Sequence, residues 1–244
     1  MKYRSGFRKL LFYLSSPSCV CCHEGLSVDD IAFCSKCSII FKEKLTRNCS
    51  ICAKVLSECE CSTSYLRDCG VNSLCKTFRY LNNRDDSVEA SLIYALKRRP
   101  RWDTAELATD LLYNAVKNRL GELKERSSIV ITNVPRRRES VIKYGVDHSA
   151  LMAKELAKRL GIRFIPLLSS NAKREQKQLT REERIRNASF KIKSKRNLKD
   201  KRVIIVDDVV TSGASMGAAS RLIRSLGAKE VSGLTLAIAY PDEQ

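Results

Sequence analysis

A chain of 244 residues has room for one α/β domain and a small accessory module, and 43% apolar residues supply an ordinary packed core. The apolar runs are far too short to span a bilayer; Lys2, Arg4 and the five-residue patch Leu10 to Leu14 imitate a secretory start, but cysteines and charge follow at once, so a cytoplasmic protein without membrane insertion is expected. The net charge is +18, of which residues 1–75 carry +3 (10 basic, 7 acidic) and the rest +15 (35 basic, 20 acidic). A field of that size attracts polyanions such as polyphosphorylated metabolites, RNA or DNA, although solubility alone also uses charge.

All 11 cysteines lie between Cys19 and Cys75, and that step in composition predicts a cysteine-rich module over 1–75 and an α/β domain over 76–244. The pair Cys19-x2-Cys22 is followed after eleven residues by Cys34-x2-Cys37; Cys49-x2-Cys52 is followed after six by Cys59-x-Cys61. Two such knuckles at this separation suit a tetrahedral, four-thiolate zinc, which has no open position and is structural. Disulfides fit a reducing compartment poorly, and the wide split between pairs suits an iron–sulfur cluster less well. Whether the two sets bind separate ions or interleave is left open by spacing. Cys21, Cys69 and Cys75 are left over as packing residues or free thiols.

After the cysteines, short apolar runs alternate with helical periods. Ser128 to Val134 predicts a strand stopping before Pro135. Leu151, Met152, Leu156 and Leu160 put a helical stripe on His148 to Leu160, with Gly161 at the stop. Ile162 to Leu168 predicts another strand. Asn171 to Arg202 breaks the pattern with 13 basic and 4 acidic residues; a long polar loop inside a compact domain is usually functional or disordered. Val203 to Val206 reads as a strand buried on both faces, Gly213 to Leu226 as a helix ending at Gly227, and Val231 to Ala239 as a closing strand. The alternation implies parallel pairing with right-handed crossovers: an open, mostly parallel twisted sheet.

The richest run is Val203-Ile-Ile-Val-Asp207-Asp208-Val-Val-Thr211-Ser212-Gly213-Ala214-Ser215. A buried strand is expected to end in two carboxylates, followed by a turn that opens a helix. Gly213 lets the backbone bend tightly. The N–H groups of Thr211 to Ser215 at a helix start form an anion cradle, to which the hydroxyls of Thr211, Ser212 and Ser215 add donors. Asp207 and Asp208 can accept from vicinal sugar hydroxyls or help to place Mg²⁺. A plain strand–helix turn is the bland alternative, but two acids after an apolar strand are costly without partners.

This run resembles the phosphoribosyl-pyrophosphate signature of type I phosphoribosyltransferases. Together with the paired cysteines, Ala95-Leu96-Lys97, Val134-Pro135, Tyr144-Gly145-Val146-Asp147-His148-Ser149 and Gln176-x-x-Leu179-Thr180-Arg181-x-x-Arg184-x-x-Asn187, in that order, the chain is similar over nearly its whole length to the ComF competence family. The resemblance implies a phosphoribosyltransferase-type α/β core, structural zinc, and a role linked to DNA uptake in natural transformation. Carried over, Asp207 and Asp208 would hold the ribose hydroxyls, Thr211, Ser212, Gly213, Ala214 and Ser215 the 5-phosphate, and Arg136, Arg137 and Arg138 the pyrophosphate, with Mg²⁺. The segment from Gln176 to Asn187, within a flexible loop 171–190, would close over the ligand. Val146-Asp147-His148 departs from the aromatic and Asn-Gln pair the family pattern leads one to expect, so the acceptor side is not legible. Two readings follow: a phosphoribosyltransferase that releases pyrophosphate, or a ligand-sensing accessory protein that contacts single-stranded DNA and helps a DNA-import helicase. Aromatics are only 7% of the chain, so base-stacking platforms are sparse.

Overall fold

The computed structural model describes residues 16–80, 87–98, 101–120, 125–171 and 189–239. Its centre is a five-stranded sheet in which every pair is parallel. In chain order the strands are β1 (Ser73–Arg79), β2 (Ile129–Asn133), β3 (Arg163–Phe164), β6 (Arg202–Val210) and β7 (Glu230–Ile238); across the sheet they stand as β1-β7-β6-β2-β3. Two short strands, β4 (Leu168–Ser170) and β5 (Phe190–Ile192), form a separate antiparallel ribbon. In β6 every residue except Arg202 and Val209 is buried, so both faces need cover, which is why the run from Val203 to Val206 has no polar alternation.

The pleat sends those residues to opposite sides. Ile204 and Val206 join a core with helices α3 (Val88–Arg98), α4 (Trp102–Val116) and α6 (His148–Leu160). Val203 and Ile205 join a second core with α7 (Ala214–Ser225) and the β4–β5 ribbon. The N-terminal part divides likewise. Cys19, Cys34, Cys37 and Phe41, the last three on or beside α1 (Ser35–Leu45), belong to the first core, where Phe41 packs edge-on to Phe78 at 5.4 Å. Cys49, Cys59, Leu56 and Leu66 of the short α2 (Ser64–Asp68) pack with Leu74, Val210 and Met216 on the other side.

Helix α6 falls on the predicted residues and stops at Gly161 (φ 67°); α7 stops before Gly227 (φ 91°). Two expectations need correction. The strand expected over 162–168 is two pieces: β3 pairs with β2 for two residues, then Pro166, which has no N–H to give a ladder, precedes β4 in the other sheet. The aspartates lie inside β6 rather than at its end, since pairing with β7 continues through Asp207, Val209 and Val210. The step in cysteine content at 75/76 falls within β1.

Candidate functional site

In a parallel sheet all strand C-termini share one edge, and loops leaving that edge build the crevice. Here a cavity of about 320 Å³ lies there, walled by the turn after β2, the first residues of α6, the aspartates of β6, the turn into α7, and the outer face of α3. Among the sequence-predicted residues it brings together Asp207, Asp208, Thr211 to Ser215, Arg136 and Arg137. Arg138 opens the short helix α5 (Arg138–Tyr144), is exposed, and does not line the cavity. Gln176, Leu179, Thr180, Arg181, Arg184 and Asn187 lie outside the described residues.

The turn owes its shape to Gly213, which precedes α7 at φ 77° in the left-handed region. Ala214 N–H donates to Ser212 Oγ at 3.4 Å, and Gly213 carbonyl accepts from Gly217 N–H at 2.8 Å. A Cβ on Gly213 would stand 3.0 Å from the Leu66 side chain. The glycine is therefore needed for its backbone angle and for the approach of α2 rather than to keep the cavity side of the turn open.

The aspartates differ in surroundings. Asp207 Oδ1 accepts from Ser149 Oγ at 3.3 Å and from the Asp208 main-chain N–H at 2.9 Å. Burial first, and then the neighbouring Asp208 charge, push the Asp207 carboxyl well above the usual carboxylate range. Burial alone would raise Asp208 too, but the Lys97 ammonium, followed by His148, holds it well below that range. Asp208 Oδ2 lies 3.0 Å from Lys97 Nζ and 2.9 Å from His148 Nε2, close charge contacts without an aligned hydrogen bond. One acid thus tends to keep its proton and the other its charge, and the pair offers a donor as well as acceptors.

His148 links the carboxylate pair to the arginines. Arg136 reaches from the β2–α5 turn to within 3.2 Å of His148 Nδ1 and donates to the Lys97 carbonyl at 3.1 Å. The guanidinium can only donate at that contact, and Nε2 of the same ring faces Asp208. Asp147 fixes the start of α6 by accepting from Ala150 N–H at 3.1 Å, and also accepts from Arg136 N–H at 3.1 Å. Lys97, His148 and Ser149 stood in the sequence as family-like residues without a role; nothing in their spacing, 51 or 52 positions apart, foretells that they meet at one carboxylate pair.

The eight paired cysteines form two separate groups, Cys19, Cys22, Cys34, Cys37 and Cys49, Cys52, Cys59, Cys61, each with all sulfurs within 4.8 Å of one another. None is in a disulfide. Zinc–sulfur bonds of about 2.3 Å place tetrahedral sulfurs about 3.8 Å apart, and the Cys22 to Cys34 separation is 3.6 Å, so each group has the donor type and spacing for one such ion. Burial would raise the Cys19 and Cys49 thiols, yet main-chain N–H donors of the knuckles bring them to about 7 and about 6. Burial pushes the Cys59 thiol up, and the buried Lys76 ammonium, which donates to the Cys61 carbonyl, offsets only part of that rise. The leftover thiols of Cys69 and Cys75 instead face Arg221 and Arg119.

Residues 146–241 match the phosphoribosyl transferase domain family. The chain is 24% identical over 209 residues to the competence protein ComFC of Streptococcus pneumoniae, covering 85% of this chain and 88% of that protein. It is 31% identical over 140 residues to competence protein F of Haemophilus influenzae, covering 53% of this chain and 58% of that protein. Among solved structures it is similar to a purine phosphoribosyltransferase of Pyrococcus horikoshii (20% identity, TM-score 0.36, 59% of this chain and 92% of that one). It is also similar to the adenine phosphoribosyltransferase of Leishmania tarentolae (16% identity, TM-score 0.37, 68% and 90%). Among the described residues no helix is long and apolar enough to cross a membrane.

Proposed function

We propose that this chain, which is similar to the competence proteins ComFC and F, is a ComF-like protein that binds phosphoribosyl pyrophosphate in the cavity at the C-terminal edge of the sheet. The observation that carries this reading is the convergence in one cavity of an acid pair, a helix-start turn and two arginines. Asp207 and Asp208 take the ribose hydroxyls. The turn Thr211 to Ser215 takes the 5-phosphate on its N–H groups and hydroxyls. Arg136 and Arg137 face the pyrophosphate with forked donors suited to phosphate oxygens. Lys97 already neutralises Asp208 and Asp207 tends to keep its proton, so Mg²⁺ fits best on the ligand's own phosphates; when bound it would supply charge compensation for the leaving group.

The reading extends to transfer. The bond from the anomeric carbon to pyrophosphate breaks as a bond to an acceptor forms, and the arginines stabilise the charge that develops on the departing oxygens. The loop 171–190 would close over the ligand and exclude water. In the same reading each cysteine group holds a structural zinc, the residues divide into a cysteine module (1–75) and a phosphoribosyltransferase-like domain (76–244), and the protein acts in the cytoplasm, where thiolates stay reduced. A second reading, a non-catalytic sensor that contacts single-stranded DNA beside an import helicase, is favoured by the +15 charge outside the cysteine part.

Titration calorimetry with phosphoribosyl pyrophosphate and Mg²⁺ tests the binding claim: heat and a thermal shift are expected, and the absence of both refutes it. Pyrophosphate release across a panel of bases, nucleotides and single-stranded DNA separates enzyme from sensor.

A further inference from the structure

The second cysteine group is tied to the α/β sheet through its last stretch, residues 57–61. Leu74 N–H of β1 donates to the Glu60 carbonyl at 3.0 Å. Arg119 donates to the Ser57 carbonyl at 3.1 Å and reaches the Glu60 carboxylate at 3.5 Å. The third tie is Lys76, in the middle of β1, whose ammonium donates to the Cys61 carbonyl and to the Leu74 carbonyl, the latter at 3.4 Å. Its charge also acts on the Cys59 thiol. Cys59 and Cys61 are two of the four sulfurs of that group.

Only 2% of Lys76 is exposed. Among the described residues it takes part in no ion pair, whereas Arg119 nearby is paired with Glu60. Two carbonyls hold the ammonium without neutralising it, and a buried charge with no counter-charge is costly and rare. The cysteine group can supply one. Four thiolates around a divalent ion carry two net negative charges, and Cys49 and Cys59 of this group are buried, so the anionic site is costly in its turn unless a cation stands beside it. The first group has a different neighbour. Arg101 donates to the Ser18 carbonyl beside Cys19 at 2.6 Å, but its charge is already paired with Asp103.

We propose that Lys76 is the counter-charge of the second cysteine group: its ammonium balances the anionic metal–thiolate site and sets that group's affinity for a divalent ion, a dependence the first group does not share. The proposal rests on the reading that each group holds zinc. Lys76 is then a positioning residue, since it acts on the ion through the Cys59 sulfur and the Cys61 main chain and not as a ligand. It also gives β1 a second task. The strand that buries Leu74, Cys75 and Phe78 carries on the same backbone the charge that steadies a site belonging to the cysteine-rich part. The assignment stands whether or not phosphoribosyl pyrophosphate binds.

The test is zinc competition between the full chain and the colorimetric chelator 4-(2-pyridylazo)resorcinol, with Cys34→Ser and Cys59→Ser assigning each ion to its group. Loss of an outer partner of a metal ligand typically costs about ten- to a hundredfold in affinity. Lys76→Gln keeps a donor for the Cys61 carbonyl and drops the charge. The second group should lose about ten- to a hundredfold in zinc affinity, and the first should be unchanged. Lys76→Met drops donor and charge together and should fall at least as far, whereas Lys76→Arg keeps the charge and should retain most of the affinity. Thr77→Val, the next residue of β1, removes a buried hydrogen bond to the Leu236 carbonyl (2.6 Å) without changing charge. It controls for a weakened strand and should leave both affinities as they were. Two bound ions with an unchanged second-group affinity in Lys76→Gln overturn the counter-charge alone. Equal losses from both groups, or the same loss in Thr77→Val, overturn it as well. A wild-type chain whose second group takes no zinc overturns the metal reading and the proposal with it.

Discussion

Asp207→Asn should stabilise the free protein while weakening its ligand. The carboxyl is buried beside a second acid that Lys97 keeps ionised, so at neutral and alkaline pH the unfolded chain loses its proton more readily than the folded one. The penalty is absent below the ordinary aspartate pKa, grows as pH rises above it, and is complete once the raised folded pKa is passed. Asparagine removes the charge and keeps the contacts: its amide oxygen can still accept from Ser149 Oγ and Asp208 N–H, and its NH2 can donate to Asp208. Relieving strain stored at a functional site commonly returns about 0.5–2 kcal/mol, which is about 1–8 °C in melting temperature for a chain of this size. Thermal melts of both proteins from about pH 4 to pH 9 check it: the gain should appear at high pH and vanish on acidification. Affinity for phosphoribosyl pyrophosphate should fall in the same variant. A variant that melts lower at high pH, or whose gain is the same at every pH, refutes the account of a proton-holding Asp207.

Asp208→Asn should weaken phosphoribosyl pyrophosphate binding about ten- to a hundredfold by calorimetry, the worth of one or two hydrogen bonds to a charged group, and should lower the melting temperature because Lys97 and His148 lose their shared partner. In the wild type the Asp208 contribution, coming from a depressed carboxyl, is present above the ordinary aspartate pKa and is lost as pH falls through the folded value. Gly213→Val should destabilise by about 1–3 kcal/mol through its left-handed φ alone, more with the Leu66 contact; adding Leu66→Ala should recover only the second part in a thermal melt. Elemental analysis should find two zinc ions per chain, one in Cys34→Ser and one in Cys59→Ser, and metal-free wild-type protein that remains folded would refute both sites.

The parts of the fold legible in the sequence are those that one local rule decides. Helix α6 announces itself by a stripe and a terminal glycine, β6 by a β-branched run without polar alternation, and the cysteine groups by spacing, which the structure resolves into two sets that do not interleave. The parts that stayed hidden depend on distant neighbours. Nothing local marks Ser73 to Arg79 as the edge strand beside β7, because the composition step drew attention to cysteine count instead. The break after Phe164 follows from a proline whose weight depends on which sheet the next strand joins. The site behaves alike: its acids and turn are one contiguous run, whereas Lys97 and His148 come from α3 and α6 and meet Asp208 only because both helices cover the same face of the sheet.

The position of Gly213 and Leu66 ties the cysteine part to the ligand site physically. The second cysteine group shares a core with Leu66, Val210 and Met216, and Gly217 of α7 leaves room for Cys69 and Tyr65, which a Cβ there would meet at 2.8 and 3.0 Å. Arg221 and Arg224 of α7 reach back to Cys69 and to the Gly70 carbonyl. The helix that follows the Thr211 to Ser215 turn is therefore seated on the segment just after the second cysteine group. The first group instead packs with Phe41 and Phe78 in the core on the opposite face. Loss of metal from the second group should thus disturb the cradle and weaken ligand binding, whereas loss from the first should act on stability before it acts on binding. With metal in both groups, the first would steady the core and the second the backbone proposed to meet the ligand.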